Sequence, residues 1–203
     1  NDWIKTYHIP NSIEKAIQII HQKKTILQDI GVLETEDKKV HYFNNVAGLG
    51  YDGYIVNKLK SLKKLVAFSY VLAGIYGLLF YKKSTFKMIF NDKIIETNCL
   101  MTVIGICQFS GGGMQFTKNV NPSDGLLDIT IAKNLTFFDM IFNLPKLYSG
   151  KIVDHKKVET YKTKGINIIP QNSKPFIQAD GELIGTGEVS FKIIKKAIRF
   201  IIS

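Results

Sequence analysis

The sequence predicts an α+β protein that is mainly β, built as an antiparallel β-sandwich with a few helices. Most of the chain alternates short apolar runs with turn residues, a pattern typical of strands. Many such runs at close spacing favour antiparallel sheets folded over one another. Two other segments combine a capping signal with apolar residues at helical spacing, which adds helices to the sheets.

The composition allows a folded domain and narrows the classes of function. With 203 residues and 45% hydrophobic content, the chain can bury a full core and is neither disordered nor a disulfide-stapled miniature. Its formal charge of +10 favours polyanionic partners, either nucleic acid or an anionic membrane leaflet, although scattered lysines equally describe a solvated surface. We do not expect nucleic-acid binding, because the sequence has no recognised motif and no ordered aromatic-basic platform.

The two cysteines and the start of the chain favour a reducing compartment. Cys99 and Cys107 lie in apolar sequence without metal-ligand spacing, so we expect small buried side chains that carry no chemistry. No secretory signal is visible from Asn1 onward. We therefore expect a cytoplasmic protein, with peripheral contact at the inner membrane face left open.

Helix signals occur at two places along the chain. Asn11 with Glu14 forms a capping-box pattern, and four apolar residues follow at helical spacing, namely Ile13, Ala16, Ile17 and Ile20. Thr136 with Asp139 forms a second capping box, ahead of a helix predicted to reach about Tyr148 and to end at Ser149-Gly150.

Strands are predicted from the apolar runs that turn residues separate. The runs are Val40–Asn44, Thr85–Phe90, Ile94–Glu96, Leu100–Cys107, Leu126–Ala132 and Gly165–Ile169. Asn91-Asp92 separates two of these runs and is typical of a tight turn between antiparallel strands.

One long apolar run, Leu65 to Tyr81, imitates a membrane span because lysines stand on both sides of it. Its 17 residues, at about 1.5 Å per residue, span only about 25 Å against a hydrocarbon core of about 30 Å. We expect a helix packed in or on the domain core. A helix that also touches a membrane surface is left open, and a true span is the least favoured alternative.

Glycine and acidic residues are concentrated in a few segments that a packed sandwich does not require. The run Gly111-Gly112-Gly113 costs backbone entropy, so a structural or ligand-contact reason is expected. In the turn from Asn121 to Asp128, carbonyls and one carboxylate can converge on a hard cation, although an ordinary hairpin turn with a capping aspartate explains the same residues. Asp180-Gly181 by itself is equally consistent with a simple turn.

In their order along the chain, these segments resemble the bacterial diacylglycerol kinases and related lipid kinases, which include the sphingosine kinases. The resemblance spans nearly the whole chain and is carried by these segments: Asn1-Asp2, Gln28-Asp29-Ile30-Gly31, Phe43 to Asp52, Gly111-Gly112-Gly113-Met114, Ser123-Asp124-Gly125-Leu126-Leu127-Asp128 and Ala179-Asp180-Gly181-Glu182. Each motif is modest, and their ordered co-occurrence is what makes the resemblance specific.

The resemblance implies a role for each acidic residue in these motifs. Asp180 is implied as the general base that takes the proton of a lipid hydroxyl as this attacks the γ-phosphate of ATP. Asp2 and Asp29 are implied to hold a magnesium and water network near the nucleotide. Asp124, with the backbone carbonyls of Asn121 and Leu126, is implied as a second, structural Mg²⁺ site.

The physical demands of phosphoryl transfer agree with these roles. Carboxylates that hold Mg²⁺ neutralise charge on the transferring group, and one further carboxylate positions the acceptor oxygen. The lipid tail needs an apolar slot, which a sandwich can open between its sheets. The decisive expectation is spatial: the Asp180 carboxylate must face an open groove beside Asp2 and Asp29.

One departure from the family pattern concerns the nucleotide. The phosphate-binding motif Gly-Gly-Asp-Gly-Thr is absent from these residues, so we expect a truncated chain. Residues 1–28 are then a remnant of the N-terminal nucleotide-binding lobe. Residues 29–203 form the C-terminal sandwich, whose last strand returns toward that lobe. Such a chain by itself is expected to bind nucleotide poorly and to turn over little or nothing.

The leading hypothesis is therefore an ATP-dependent lipid kinase that acts on a diacylglycerol-like or sphingoid lipid, with ATP and Mg²⁺ as cofactors. The alternative is a non-catalytic lipid-binding or regulatory module that has lost the nucleotide lobe. A related kinase with a small polar substrate such as NAD is less favoured. The expected partner is the lipid substrate, while contact with an anionic membrane surface and a homodimer are left open.

Overall fold

A computed structural model of the protein describes residues 2–59, 74, 76–117 and 119–203. The chain forms two layers of strands, and every strand pair in them is antiparallel. Helices cover the outer face of one layer. The predicted class, mainly β with an antiparallel sandwich, is therefore confirmed.

Short helices and many strands alternate along the chain. The helices are α1 (Asp2–Thr6), α2 (Ile13–Gln22), α3 (Tyr51–Leu59), α4 (Phe137–Tyr148) and a 3-10 helix (Lys151–Asp154). The strands are β1 (Thr25–Thr35), β2 (Val40–Phe43), β3 (Val46–Gly50), β4 (Ser84–Phe90), β5 (Lys93–Gly105), β6 (Phe109–Ser110), β7 (Met114–Gln115), β8 (Leu127–Lys133), β9 (Val158–Thr163), β10 (Gly165–Pro170), β11 (Phe176–Ala179), β12 (Glu182–Thr186) and β13 (Val189–Ile201).

The long strand β5 belongs to both layers. Its first half pairs with β4 and leads to the layer β5-β4-β10-β13-β1-β2, while its second half lies between β3 and β8 in the layer β12-β11-β3-β5-β8-β9. The pairing with β8 shifts register between Cys99 and Met101, as expected where a strand bends from one layer to the other. The two predicted strands Ile94–Glu96 and Leu100–Cys107 are thus one strand.

Alternation along the strands divides the apolar residues between two cores. The main core lies between the layers and includes Leu49 and Ile104 from one layer and Phe86 and Phe191 from the other. A second core lies on the opposite face of β3 and β5, where Val46 and Val103 pack under α3 and α4. Because side chains alternate in a strand, β3, β5 and β8 each serve both cores.

The N-terminal region is joined to the sandwich through the last strand. β1 pairs with β13 from Thr25↔Ile201 to Thr35↔Val189, and the ring of Trp3 in α1 lies 4.5 Å from that of Phe200. The predicted boundary between residues 28 and 29 falls inside β1. That residues 1–28 belong to a nucleotide-binding lobe stays a prediction.

Local signals placed most turns and helix ends correctly. α4 has the predicted capping box at Thr136 and Asp139, and Asn91 and Asp92 both adopt the positive φ of a tight hairpin turn. The capping residue of α2, however, is Ser12 and not Asn11, because the Ser12 hydroxyl accepts the N–H of Lys15.

The apolar run Leu65–Tyr81 lies largely outside the described residues. Of that run, residues 74, 76 and 77 are helical and residues 78–80 form a turn. Among the helices that the structure describes, none has the length and apolar character needed to cross a bilayer.

Candidate active site

Asp180 stands at the turn between β11 and β12, held by a loop from a distant part of the chain. Its carboxylate accepts three backbone N–H groups, those of Asn44 (2.8 Å), Asn45 (3.0 Å) and Val46 (3.0 Å). In return, the N–H of Asp180 donates to the carbonyl of Val46. Asp180 has a φ of +49° in a two-residue turn, and this conformation is held through both its side chain and its backbone N–H.

The surroundings of Asp180 combine exposure with partial desolvation. The residue as a whole is exposed, while its carboxylate turns in toward the backbone of residues 44–46. This partial burial raises the pKa of the Asp180 carboxyl above its ordinary value, and the three N–H groups counteract the rise without cancelling it. The carboxylate is thus a fixed acceptor whose proton affinity is above that of a free aspartate.

The triglycine segment lies between Asp2 and the loop of residues 44–46 that holds Asp180 (the Asp180 loop). The N–H of Gly112 donates to Asp2 Oδ2 at 2.7 Å, and the carbonyl of Phe109 accepts the side-chain amide of Asn45 at 3.0 Å. All three glycines of this hairpin have positive φ, a conformation that side chains rarely adopt. The glycines therefore let the hairpin make the turn that joins Asp2 to the Asp180 loop.

A buried glutamine links helix α1 to the same loop. Gln28 Oε1 accepts hydrogen bonds from Trp3 Nε1 (3.0 Å) and the Tyr7 hydroxyl (2.6 Å), and Gln28 Nε2 donates to the carbonyl of Asn44 at 2.6 Å. Gln28 is fully buried, so these bonds are protected from water. Through Gln28 the N-terminal helix positions the loop that holds Asp180.

An apolar cavity of about 200 Å³ opens beside Asp180. Two exposed glycines, Gly111 of the hairpin and Gly181 of the Asp180 turn, are part of its lining. Its apolar walls come from β5, α3 and α4 and include Met101, Ile55, Met140, Leu144 and Leu147. The cavity therefore lies between the outer face of one layer and the helices, and not between the sheets as the sequence suggested.

Asp52 and Gln178 form the polar part of this apolar cavity. Gln178 Nε2 donates to Asp52 Oδ2, and Gln178 Oε1 accepts the N–H of Gly181 at 3.0 Å. Burial raises the pKa of Asp52 to about 6, and the bond from Gln178 offsets only part of that effect. A Cβ at Gly48 would stand 2.7 Å from Asp52 Oδ2 and 2.8 Å from the Thr102 carbonyl, so the glycine leaves room for this carboxylate.

Asp29 is placed differently from the other predicted acids. It is fully buried, and its two carboxylate oxygens accept the N–H groups of Gly125 and Lys196, each at 2.6 Å. Its own N–H donates to the carbonyl of Pro122. Asp29 therefore connects the loop at residues 121–125 to β13, and it does not face the cavity. In the residues described, the expected groove that would hold Asp29 beside Asp180 does not form.

The turn predicted as a structural magnesium site already holds a lysine. Lys162 Nζ lies 3.0 Å from Asp124 Oδ2 and 3.3 Å from Asp128 Oδ1. Asp124 Oδ1 accepts the N–H of Leu126, and the carbonyl of Asn121 accepts the N–H of Asp124. These bonds engage both carboxylate oxygens of Asp124 and the Asn121 carbonyl, so the lysine already compensates the charge that a magnesium ion would. The role of the Leu126 carbonyl stays a prediction. In the described ranges, no three potential ligand side chains cluster.

The structure thus brings Asp2 and Asp180 to the two sides of one hairpin and separates them from Asp29 and Asp124. Asp52 ends one of the family-like motifs and Gln178 directly precedes another, yet no role was predicted for either. The available signal was an acid directly after a glycine-rich strand in otherwise apolar sequence. Cys99 and Cys107 are both buried free thiols, as expected.

Comparisons with known proteins identify the family of this chain and several relatives. The family model described as "YegS C-terminal NAD kinase beta sandwich-like domain" matches residues 45–202. A Bacillus subtilis protein named "Putative lipid kinase YtlR" is 29% identical over 92% of this chain and 64% of its own length. A diacylglycerol kinase of Staphylococcus carnosus is 23% identical over 98% of this chain and 63% of its own length.

Solved structures give the same fold. The crystal structure of a "putative diacylglycerol kinase" from Bacillus anthracis covers 100% of this chain and 66% of its own, with a TM-score of 0.76 and 20% identity. At that identity the likeness shows the fold alone. The chain spans less than two thirds of the length of these relatives.

Proposed function

The chain belongs to the family of YegS C-terminal NAD kinase beta sandwich-like domains, and we propose that it is the lipid-binding, base-supplying part of an ATP-dependent lipid kinase. The resemblance to bacterial lipid kinases is confirmed at the level of the family. The lipid, the use of ATP and the role of Asp180 are our proposal. The observation that carries it is a fixed carboxylate beside an apolar cavity.

The cavity and the carboxylate meet two separate needs of the reaction. An acyl chain of a diacylglycerol-like lipid would lie against Met101, Met140 and Leu144, where transfer from water to an apolar wall is favourable. The free hydroxyl of the lipid would then extend past Gly181 toward Asp180. There the carboxylate would accept the hydroxyl proton as the oxygen attacks the γ-phosphorus of ATP, while the bond from that phosphorus to the bridging oxygen breaks and ADP leaves.

The backbone bonds to Asp180 support this role. A general base must be held in place, and three N–H groups restrict the carboxylate to one orientation. Desolvation makes the same carboxylate a better proton acceptor than a free aspartate. The exposed position leaves room for a nucleotide to approach from outside the cavity.

ATP and Mg²⁺ would be bound mainly by residues beyond this chain. Of the predicted nucleotide-side acids, Asp2 stands at the triglycine hairpin, while Asp29 is sealed and supports the fold. Mg²⁺ neutralises charge on the phosphates. Asp2 Oδ1 pairs with Lys5 Nζ at 2.9 Å in this chain, and we propose that Asp2 exchanges this lysine for Mg²⁺ once the nucleotide-binding lobe is present.

The test uses the longer protein that contains this chain, labelled γ-phosphate and a panel of diacylglycerol and sphingoid lipids. Asp180→Asn is expected to lower transfer to the preferred lipid by about 10² to 10⁴-fold. The matched control is Glu182→Gln, which removes an exposed acid two residues away and should leave transfer unchanged. Full activity of Asp180→Asn would refute the assigned base.

A second outcome separates the kinase from its alternative. If the longer protein with Asp180 intact binds lipid but transfers no phosphate to any member of the panel, the proposal is wrong and the non-catalytic module is the better explanation. Transfer to a small polar acceptor such as NAD, with none to lipid, would equally overturn it.

A further inference from the structure

Helix α4 exposes an aromatic face to solvent. Phe138 is 66% exposed and Phe142 is 76% exposed, and their rings lie nearly parallel with centroids 6.5 Å apart. Ile141 and Tyr148 on the same helix are also exposed, at 40% and 42%. Exposing two large aromatic side chains together is costly in water, so such a patch indicates a binding surface.

The helix carries two apolar faces with different tasks. Met140, Leu144 and Leu147 point inward and line the cavity. At about 100° per residue, Phe138, Ile141, Phe142 and Tyr148 fall on the adjacent outer side, and Asp139, Asn143 and Lys146 occupy the remaining strip. One helix therefore joins the wall of the cavity to the outer aromatic face.

A second segment repeats this arrangement across the cavity. Leu78 lines the cavity and packs in the same core as Leu144. Beside it, Tyr76, Leu79 and Phe80 are exposed at 61%, 55% and 64%. Two segments that form the wall of one cavity thus both present apolar side chains outward.

Lysines accompany both exposed groups. Lys146 and Lys151 follow Phe142, and Lys82 follows Phe80; all three are exposed. None of the three forms an ion pair with a carboxylate in the ranges that the structure covers. The nearest acid on α4, Asp139, is held by Lys157 and by the capping box. The rim of the aromatic face is therefore positive.

We propose that the outer face of α4, with the exposed residues 76–80, docks on the surface of an anionic bilayer. Aromatic side chains flanked by lysines are the chemistry of an interfacial membrane site: the rings enter the boundary of headgroups and acyl chains, and the ammonium groups meet anionic lipids. This inference rests on the proposed function, because docking at this face lets a lipid leave the bilayer directly into the cavity.

A bilayer explains the features better than a protein partner does. The exposed aromatic residues lie on the same elements as the cavity wall, and a protein seated there would cover the cavity's outer side. The uncompensated charge is of one sign, which suits a uniformly anionic surface. A second copy of this chain would bring the same positive rim against itself, which is unfavourable.

The experiment measures binding of the 203-residue chain to vesicles by co-sedimentation. Vesicles of phosphatidylcholine are compared with vesicles that contain about one third phosphatidylglycerol, at low and at high salt. We expect binding to the anionic vesicles that weakens with salt. Phe138→Ser with Phe142→Ser should lower the partition coefficient by about tenfold or more, since the two rings that would enter the bilayer are lost.

A matched control removes two equally exposed apolar side chains from another surface. Tyr42 is 66% exposed on β2 and Ile94 is 65% exposed on β5, and the pair Tyr42→Ser with Ile94→Ser should bind vesicles like the unchanged chain. Circular dichroism checks that both double variants are folded. Lys146→Gln with Lys151→Gln should reduce the salt-sensitive part of binding.

Several results would overturn the proposal. These are no binding of the unchanged chain to anionic vesicles, equal binding by the Phe138/Phe142 double variant, or a dimer in solution that this variant dissociates. A failure of the kinase proposal is visible separately, because vesicle binding needs neither ATP nor Asp180. In the longer protein, the double variant should lose transfer to vesicle-bound lipid and keep transfer to a short-chain lipid dispersed as monomers.

Discussion

Two regions of the molecule each hold a set of aspartates, yet they leave these aspartates in opposite situations. In the cavity region, Asp180 is exposed at a turn and Asp52 is desolvated with a single side-chain partner. In the buried-loop region, Asp29 is sealed between Gly125 and Lys196, and Asp124 is paired with Lys162.

The difference shows how to distinguish candidate functional carboxylates from carboxylates that stabilise the fold. In the buried-loop region Asp29 and Asp124 are compensated by N–H groups or an ammonium, which is the condition under which a buried carboxylate stabilises a fold. Asp128 is the exception there, because burial raises its pKa to about 6 despite the neighbouring Lys162. In the cavity region burial raises the pKa of both Asp52 and Asp180. Keeping these carboxylates ionised beside the cavity therefore costs folding free energy. Incompletely compensated acids next to a cavity are characteristic of functional sites.

The largest expected effect on stability comes from the sealed aspartate. In Asp29→Asn, one of the two N–H donors would face an amide that cannot accept its bond, so we expect a loss of about 3 kcal/mol of unfolding free energy. Asp180→Asn should cost about 1 kcal/mol, because water can reach that turn. Urea unfolding of the chain measures both. An Asp180→Asn loss as large as that of Asp29→Asn would contradict the distinction between the two regions.

The next effect concerns pH and the desolvated acid of the cavity. Folding raises the pKa of Asp52 to about 6 from its ordinary 3.8, so between these pH values the folded state binds more protons than the unfolded state. Stability from this group is therefore full below about pH 4, falls as pH rises and is lost above about pH 6, in total about 1 to 3 kcal/mol.

Asp52→Asn removes this penalty and keeps an oxygen for Gln178. The variant should match the unchanged chain near pH 4 and exceed it by about 1 to 3 kcal/mol at pH 7. Asp128, whose pKa burial also raises to about 6, retains its own slope in both proteins. Urea unfolding across pH measures the gap, and a gap that does not change with pH would show that Asp52 is not the group responsible.

The smallest effect tests the lysine in the predicted magnesium turn. Lys162→Ala should lose about 1 kcal/mol, because the pair with Asp124 and Asp128 is partly exposed. The control Lys174→Ala breaks a largely exposed pair with Glu36 and should cost less. Thermal unfolding with added magnesium should shift in Lys162→Ala but not in the unchanged chain. A shift in the unchanged chain would show that the turn binds magnesium after all, and that Asp124 belongs to a binding site and not only to the support of the fold.

Features set by neighbouring residues were predictable from the sequence. The capping box at Thr136 and the Asn91-Asp92 turn involve residues at most three apart, so their patterns are complete within a short window. The cap of α2 was misplaced by one residue because Asn11 and Ser12 are both good capping residues. Continuity of β5 was missed because its bend depends on strands that are distant in the sequence.

The order of the motifs was enough to identify the family, since that information lies in residue types and their succession. The role of Asp180 as the base, which the same motifs imply, stays a prediction. The burial and the partners of the other acids were decided by tertiary structure. Whether a carboxylate at Asp2, Asp29, Asp52 or Asp124 meets water, backbone N–H groups, an amide or an ammonium depends on which loops the two layers bring together. Burial and pairing are properties of that packing, and the chain alone does not contain them.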